Sequence, residues 1–371
     1  LRQRLMSDLA VAGGEFDIMT IGAYEAALWA KRGWLQPIKN LKSDYDLPDI
    51  IPSIKASMSY KNTLYALPFY AETSMTYYRK DLFNAAKIKM PRQPSWSEIL
   101  SMAKQLNNKE QGISGICLRG KPSWGESVAL ITTIVNSFGG KWFNQDWQPE
   151  LTSKEWLSGV SLYIDLLQNY GPENAHTLGY QENLELFSKG KCAIWVDATV
   201  AASTLYNPKM SNVYDKVGFA AAPNEITIEG SSWQWTWGLA IPASSNSYEQ
   251  ALNFIEWATS KNYINEVADN NNWLSVPPGT RFSTYNNPDY YKVAPFSGFV
   301  LNEIISATSE QTTLKGSPYK SIQFVDTFEF PAIGNFLGRK ISKVLSKEES
   351  LMDALIETQE FAEIQIKHAM K

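Results

Sequence analysis

Residues 231–242 read SSWQWTWGLAIP, and the interpretation of the whole chain depends on this stretch. Trp233, Trp235 and Trp237 alternate with smaller residues, so a strand would direct all three indoles to one side. Such a face suits a protein core, where tryptophan is usually much buried. It also suits stacking on the C–H-rich face of a sugar or polyol. The spacing alone favours neither alternative.

The composition restricts the class of partner. A length of 371 residues predicts two domains, because one hydrophobic core rarely grows so large. The net charge is −4 without a long run of either sign, which argues against nucleic acid or an anionic membrane as the main partner. Aromatic residues make up 13% of the chain, with 13 tryptophans. This excess with modest charge favours a small, neutral, hydroxylated ligand.

Strand patterns alternate with helix patterns along the chain, which predicts an α/β fold. The clearest strands lie at residues 16–21, 64–70, 74–79, 115–118, 191–196 and 217–221. Ser/Thr-x-x-Glu/Gln patterns predict helices that begin at capping boxes. These boxes are Ser95-x-x-Glu98, Thr152-x-x-Glu155 and Ser247-x-x-Gln250.

The sequence offers little for cofactor or metal chemistry. Gly115-x-x-x-x-Gly120-Lys121 matches a phosphate-binding loop until Pro122, which replaces the hydroxyl needed for Mg²⁺ and removes an N–H donor. His176 and His368 stand far apart, and neither has a cysteine at metal-ligand spacing. We therefore expect no cofactor and no metal.

Two cysteines leave the redox compartment open. Cys117 and Cys192 would pair if their strands were neighbours, and two buried free thiols fit the sequence equally well.

Three segments place polar and aromatic residues where strands are predicted to end. They are FYAET at 69–73, RGKPSWGE at 119–126 and WVDAT at 195–199. Ligands of open α/β sheets lie just beyond the carboxyl ends of the strands. There, a carboxylate accepts hydrogen bonds from vicinal hydroxyls and an arginine donates to them. This position selects Glu72, Arg119, Glu126 and Asp197 as hydroxyl-binding candidates, with surface loops or ion pairs as the alternative.

The order of these motifs resembles the family 1 extracellular solute-binding proteins, the maltose-binding-like receptors of ABC importers. The resemblance covers nearly the whole chain, including GEFDIMTIGAYEAALWAKRGWL at 14–35 and LYALPFYAETSMTYYRKDLF at 64–83. It continues through ELFSKGKCAIWVDATVAAS at 185–203 and the tryptophan stretch. GICLRGKPSWGES and CAIWVDAT are most similar to the branch that binds sugar alcohols such as mannitol and sorbitol.

The resemblance implies a type II periplasmic-binding-protein fold, with two doubly wound α/β lobes, crossing hinge strands and a ligand cleft. The expected lobes are residues 1–78 with 240–290, and 79–239 with 291–371. Family members begin with a β-α-β unit that is missing before Leu1, so we expect a fragment whose signal peptide was lost with that unit.

The resemblance also implies which side chains line the cleft. These are Tyr24, Tyr70, Glu72, Arg119, Trp124, Glu126, Asp197, Trp233, Trp235, Trp237 and Arg281. Asp197, Glu126 and Arg119 would grip hydroxyls, and one or two of the three tryptophans would stack on carbon faces.

The function implied is capture without chemistry. A monomeric periplasmic or extracellular receptor would close by hinge motion on a polyol or small sugar and deliver it to an ABC-type membrane permease. The alternative from another class is a carbohydrate hydrolase that uses a carboxylate pair beside the tryptophans. A non-transporting sensor or lectin shares the ligand but predicts a different partner.

Overall fold

The computed structural model describes residues 2–227, 231–306, 317–319 and 322–369, without the side chains of residues 2, 3 and 369. Its strands are β1 (Met19–Gly22), β2 (Ser59–Tyr60), β3 (Thr63–Leu64), β4 (Ala66–Arg79), β5 (Ser114–Cys117), β6 (Cys192–Ala198), β7 (Val217–Ala221) and β8 (Gln234–Ala240).

The helices of the first half are α1 (Arg2–Val11), α2 (Ala23–Lys31), α3 (Pro52–Ser57), α4 (Lys80–Ala85), α5 (Trp96–Leu106), α6 (Ser127–Ser137), α7 (Lys154–Tyr170) and α8 (Tyr180–Ser188). Those of the second half are α9 (Ala202–Leu205), α10 (Tyr248–Ala258), α11 (Lys261–Asn270), α12 (Phe282–Tyr285), α13 (Pro288–Val293), α14 (Ser297–Ser306), α15 (Phe330–Leu345) and α16 (Leu351–Ala369).

The chain divides into two compact units. Unit 1 comprises Leu1–Thr73 and Gln234–Thr308, and unit 2 comprises Ser74–Trp233 and Ser309–Lys371. The first boundary falls inside β4, between Thr73 and Ser74.

Antiparallel pairing builds the sheet of unit 1. β8 pairs with β1 on one side and with the first part of β4, from Ala66 to Thr73, on the other. A separate hairpin joins β2 to β3 through Lys61 and Asn62, which both have positive φ, as a type I′ hairpin turn requires. Helices α10–α14 also belong to this unit.

Unit 2 has a mixed sheet. The second part of β4 pairs antiparallel with β6 and with β7, and β5 runs parallel to β6. Helix α6 is buried along its whole length, although its sequence mixes apolar residues with Ser, Thr and Asn. Trp142 and Trp156 are fully buried nearby with their ring centroids 4.8 Å apart. The parallel strands bring the carboxyl ends of β5 and β6 to one edge of the sheet.

The unit boundaries differ from the expected ones. We expected crossings after residues 78, 239 and 290, whereas the structure places them after 73, 233 and 308. Strand β8 explains the second difference, because it pairs from Gln234 to Ala240 with strands of unit 1. The predicted strands 64–70 and 74–79 are one continuous strand, β4.

The structure joins Cys117 and Cys192 by a disulfide, with their Cα atoms 5.9 Å apart. Both residues lie in unit 2, on β5 and β6, and both are fully buried. The sequence left open a disulfide or two buried free thiols, and the structure has the disulfide.

Candidate functional site

An ion pair between Arg119 and Asp197 is the centre of the candidate site in unit 2. Asp197 lies on β6, one residue before its end, and Arg119 follows β5 by two residues. Arg119 Nε donates to Asp197 Oδ1 and Oδ2 at 3.1 and 2.9 Å, and Nη2 donates to Oδ1 at 2.5 Å. The Asp197 side chain is only 2% exposed and that of Arg119 16%. Parallel strands thus bring together two groups that are 78 residues apart in sequence.

The backbone around this pair is also fixed. Asp197 Oδ1 accepts a hydrogen bond from the Ala198 N–H at 2.7 Å. The buried Tyr163 hydroxyl donates to the Arg119 carbonyl at 2.7 Å. A guanidinium held at both its head and its backbone loses little freedom when a ligand arrives.

Glu126 and Tyr180 complete the surroundings of Arg119. Arg119 Nη1 donates to the Gly125 carbonyl at 3.2 Å and lies 3.6 Å from Glu126 Oε2. The guanidinium also lies over the Tyr180 ring, 5.1 Å from its centroid. Glu126 Oε2 accepts from the Tyr180 N–H at 3.1 Å, at the start of α8. Burial raises the pKa of Glu126 above its ordinary value, and the positive charge of Arg119 opposes this shift.

Tyr180 is a residue that the sequence reasoning missed. It begins the predicted helix at 180, but no local pattern shows that its ring would meet an arginine 61 residues earlier. The pairing depends on the tertiary position of α8 against β6, where Tyr180 and Trp195 have centroids 5.8 Å apart.

Trp233 and Trp124 lie in unit 2 and are both buried. Trp233 borders a small cavity together with Arg119 and Asp197. Trp124 contacts the rings of Phe324 and Phe330 edge-on, at 6.4 and 6.2 Å. Trp233 is thus placed beside the ion pair, whereas the contacts of Trp124 are those of a packed core residue.

Unit 1 holds a second group of predicted residues. Trp235 and Trp237 follow each other on the same face of β8, half-buried, with ring centroids 5.6 Å apart. The Tyr70 ring lies 6.4 Å from that of Trp237, since the two residues are paired across β4 and β8. Glu72 pairs with Trp235 in the same ladder and is buried. Tyr24 is buried on α2 of the same unit.

The three alternating tryptophans do not all belong to one strand. Strand β8 begins at Gln234, so only Trp235 and Trp237 belong to it. Trp233 precedes the strand and is the last residue of its segment in unit 2. The alternation of tryptophans with smaller residues could not reveal that the boundary between the two units falls between Trp233 and Gln234.

Arg281 does not fit the ligand-binding role that the resemblance implied. Its side chain is fully buried in unit 1, where Nε donates to the Thr259 carbonyl at 3.1 Å. Its other nitrogens donate to the Tyr45 and Asp46 carbonyls and pair with Asp49 Oδ2 at 3.3 Å. These contacts tie three chain segments together, so Arg281 is a structural residue.

Within the described ranges, no three His, Cys, Asp or Glu side chains come close enough to hold a metal ion. Across the same part of the chain, no helix is both long and apolar enough to cross a membrane.

Comparison with known proteins places the chain in a family. Residues 5–263 match the bacterial extracellular solute-binding protein family, and the chain belongs to it. The chain is 48% identical over 369 residues to the mannitol-binding protein of Pseudomonas aeruginosa. That alignment covers 100% of this chain and 84% of the relative.

Two solved structures extend the comparison. An ABC transporter solute-binding protein from Agrobacterium vitis S4, with bound D-mannitol, has a TM-score of 0.97 and 45% identity. It is matched over 99% of this chain and 89% of its own. One from Agrobacterium radiobacter K84, in complex with ribitol, has a TM-score of 0.84 and 26% identity, covering 97% and 88%. The predicted family and the two-lobed α/β periplasmic-binding-protein fold are therefore confirmed.

Proposed function

We propose that this chain is the solute-binding receptor of an ABC importer and captures a linear sugar alcohol, with mannitol as the foremost candidate. The observation that carries the proposal is the buried Arg119–Asp197 pair. Its charges cancel, so it suits a neutral ligand better than an anion or a cation. Vicinal hydroxyls can donate to Asp197 or Glu126 and accept from Arg119. Relatives that bind mannitol and ribitol support this choice of ligand.

Aromatic side chains supply the apolar part of the proposed recognition. Trp233 in unit 2, and Trp235, Trp237 and Tyr70 in unit 1, present flat apolar rings. A polyol chain carries C–H groups between its hydroxyls, and such groups pack well on an indole. Closure of two lobes on the ligand is what the family resemblance implies, and small-angle scattering with and without mannitol tests it.

Hydrolysis is the alternative class, and the geometry does not favour it. Glycosidases need one carboxyl group that can donate a proton and a second that can attack or activate water. Both Asp197 oxygens accept hydrogen bonds from Arg119, and Oδ1 also accepts from Ala198. Glu126 accepts from the Tyr180 N–H and faces the same guanidinium. Since the close relatives are binding proteins too, the chain is a receptor and not an enzyme.

Partner and location follow from the proposed role. A receptor of an ABC importer delivers its ligand to a membrane permease, so we propose such a permease as the protein partner. Membership of an extracellular solute-binding family implies a periplasmic or extracellular site of action. A monomer suffices for this role, and light scattering of the loaded and ligand-free protein checks it.

Calorimetric titration tests the ligand. Wild-type protein is titrated with mannitol, sorbitol, ribitol, glucose and maltose, and each mixture is then assayed for product. Saturable binding of a polyol with unchanged ligand supports the proposal. Binding of cyclic sugars alone would reject the polyol, and product formation would reject the receptor.

Two variants connect that binding to the ion pair. Asp197→Ala is expected to weaken polyol binding by about 100-fold or more, because hydrogen bonds to charged groups contribute about 1.5–3 kcal/mol each. Asp215→Ala removes an exposed carboxylate of the same unit and is expected to bind like wild type.

A further inference from the structure

A small cavity lies beside the Arg119–Asp197 pair, within unit 2. It has a volume of about 20 Å³. Arg119 and Asp197 border it, with Trp233, Val196 and Leu130 as apolar lining and Gln323 as a further polar residue. No motif in the sequence singled out Gln323, and nothing in the ion pair requires it.

Gln323 has a buried polar atom directed away from solvent. Its Oε1 is buried and accepts no hydrogen bond from any described residue. A buried carbonyl without a donor is costly, and most such groups in proteins acquire a partner. The nearby Thr133 hydroxyl is already used, because it donates to the Leu130 carbonyl at 2.8 Å.

The residues on both sides of Gln323 make contacts that hold them in place. The Ile322 carbonyl accepts from Asn136 Nδ2 at 2.7 Å, which ties it to α6. The Phe324 ring packs edge-on against Trp124 at 6.4 Å. Gln323 is therefore positioned by its neighbours in sequence, as a preorganised binding residue has to be.

The size of the cavity limits what can enter it. A cavity needs about 10–15 Å³ to hold one water molecule, so this one takes a single group slightly larger than water. A sugar ring is far too large. The end of an open-chain polyol is small enough, and its CH₂ suits the apolar lining while its hydroxyl needs an acceptor.

We infer that this cavity is a subsite for one terminal hydroxymethyl group of the ligand, and that Gln323 Oε1 accepts the hydrogen bond of that hydroxyl. The inference rests on the proposed polyol-binding function. It adds Gln323 as a residue that selects ligands with a free hydroxymethyl end. Trp233 covers the carbon of that group, and the Arg119–Asp197 pair lies beside its oxygen.

A cycle of two proteins and two ligands tests the assignment by calorimetric titration. Wild type and Gln323→Met are each titrated with D-mannitol and with 1,6-dideoxy-D-mannitol. Both ends of the ligand are changed because the ends of mannitol are equivalent, and a singly deoxygenated ligand would bind in reverse. Methionine keeps the length of glutamine and removes its carbonyl.

Wild type is expected to bind the dideoxy ligand about 10- to 100-fold more weakly than mannitol. In Gln323→Met, mannitol binding is expected to weaken by about tenfold, and the preference for mannitol over the dideoxy ligand to shrink by a similar factor. Gln105→Met replaces an exposed glutamine on α5 of the same unit and is expected to match wild type with both ligands.

The outcomes separate this inference from the proposed function. If wild type binds mannitol and Gln323→Met keeps the full preference, the subsite is wrong and the receptor stands. If wild type binds no polyol, both are rejected. Circular dichroism establishes that the variant is folded. Should Gln323→Met unfold, Gln323→Asn keeps an amide one methylene shorter, and an unchanged preference in that variant would equally reject the subsite.

Discussion

At the scale of single residues, the candidate site depends on charges that are removed from water and paired with each other. Asp197 is almost fully buried, so its carboxylate depends on Arg119 and on one backbone N–H for stabilisation. Breaking such a pair costs more than removing it altogether, since the remaining charge stays buried and unpaired. Stability and ligand binding are therefore expected to respond differently to substitutions here.

Arg119→Met is expected to destabilise the protein by about 3–5 kcal/mol, because it leaves the buried Asp197 carboxylate without its cation. The double variant Arg119→Met/Asp197→Asn removes both charges and keeps an acceptor for the Ala198 N–H. We expect it to recover most of the lost stability while neither variant binds mannitol. Urea denaturation measures the first property and calorimetric titration the second. A double variant as unstable as the single one would show that buried charge is not the cause.

Glu126 gives a second prediction, for the dependence of stability on pH. Because burial raises its pKa in the folded state, folding favours the protonated form. The stabilisation is full below the pKa of an unfolded glutamate, about 4.3, and is lost as pH rises through the folded value. Glu126→Gln has no ionisable group at this position, so its stability does not fall for this reason as pH rises. Its melting temperature is thus expected to rise relative to wild type between pH 4 and pH 7, as measured by circular dichroism.

A nearby glutamate provides a control of opposite sign. Glu182 lies on α8, the helix whose first residue, Tyr180, donates its N–H to Glu126. Hydrogen bonds from backbone N–H groups, including that of Gly179, lower the pKa of Glu182. Its contribution is therefore present above the unfolded pKa and is lost as pH falls through the folded one. Glu182→Gln is expected to lose stability relative to wild type as pH rises. The same trend in both variants would contradict the assignment for Glu126.

At the scale of elements, the start of α8 positions Glu126. Gly179 precedes this helix, and a Cβ added there would lie 2.9 Å from Glu126 Oε1. The backbone of Gly179 is extended, so the constraint is the close approach of the carboxylate and not the φ angle. Gly179 thus leaves room for the Glu126 carboxylate, and the next residue, Tyr180, provides the ring over which Arg119 lies.

Gly179→Ala is expected to displace the Glu126 carboxylate and to weaken mannitol binding by about tenfold, with little change in fold. Gly125→Ala is the matched control, because it is adjacent to Glu126 in sequence and an added Cβ there meets no atom within 4 Å. Titration of both variants with mannitol compares them. Equal affinities would show that the position of Glu126 does not matter for the ligand.

Helix starts show how far local patterns could be used for prediction. The Ser95–Glu98 capping box was predicted, and both of its hydrogen bonds are present. The predicted box at Ser247 is absent, since the Ser247 N–H is bonded to Ser245 Oγ instead. The local sequence could not show whether the Ser247 N–H would donate to the Gln250 side chain, as in a capping box, or to Ser245 Oγ.

The predicted box at Thr152 failed because of a distant contact. Thr152 Oγ1 and N–H both donate to Gln359 Oε1 on α16, and Ser153 is the residue that caps α7. In the same way, the partners of Arg281 lie 22 or more residues away in sequence. The position of Asp197 and Arg119 was predictable because it follows from a general rule about strand ends. Tyr180 and Gln323 depend on tertiary packing that no local pattern encodes.

At the scale of the whole molecule, the two units have separate cores and need not have equal stability. The disulfide Cys117–Cys192 lies entirely in unit 2 and closes a sequence separation of 75 residues. A link across so long a segment restricts the unfolded chain, and removal of such a bond typically costs about 2–5 kcal/mol. Unit 2 is therefore the unit whose stability depends on an oxidising environment, which the proposed extracellular location supplies.

Cys117→Ser/Cys192→Ser is expected to lower the melting temperature of unit 2 by about 5–15 °C, because a bond that restricts its unfolded state is lost. Scanning calorimetry measures the shift, and the melting temperature of unit 1 is expected to stay unchanged. Wild type under denaturing, non-reducing conditions is expected to show no free thiol, whereas reduction releases two. Two free thiols before reduction would contradict the bond. An unchanged melting profile of the double variant would show that the strands β5 and β6, and with them Arg119 and Asp197, are held in place without it.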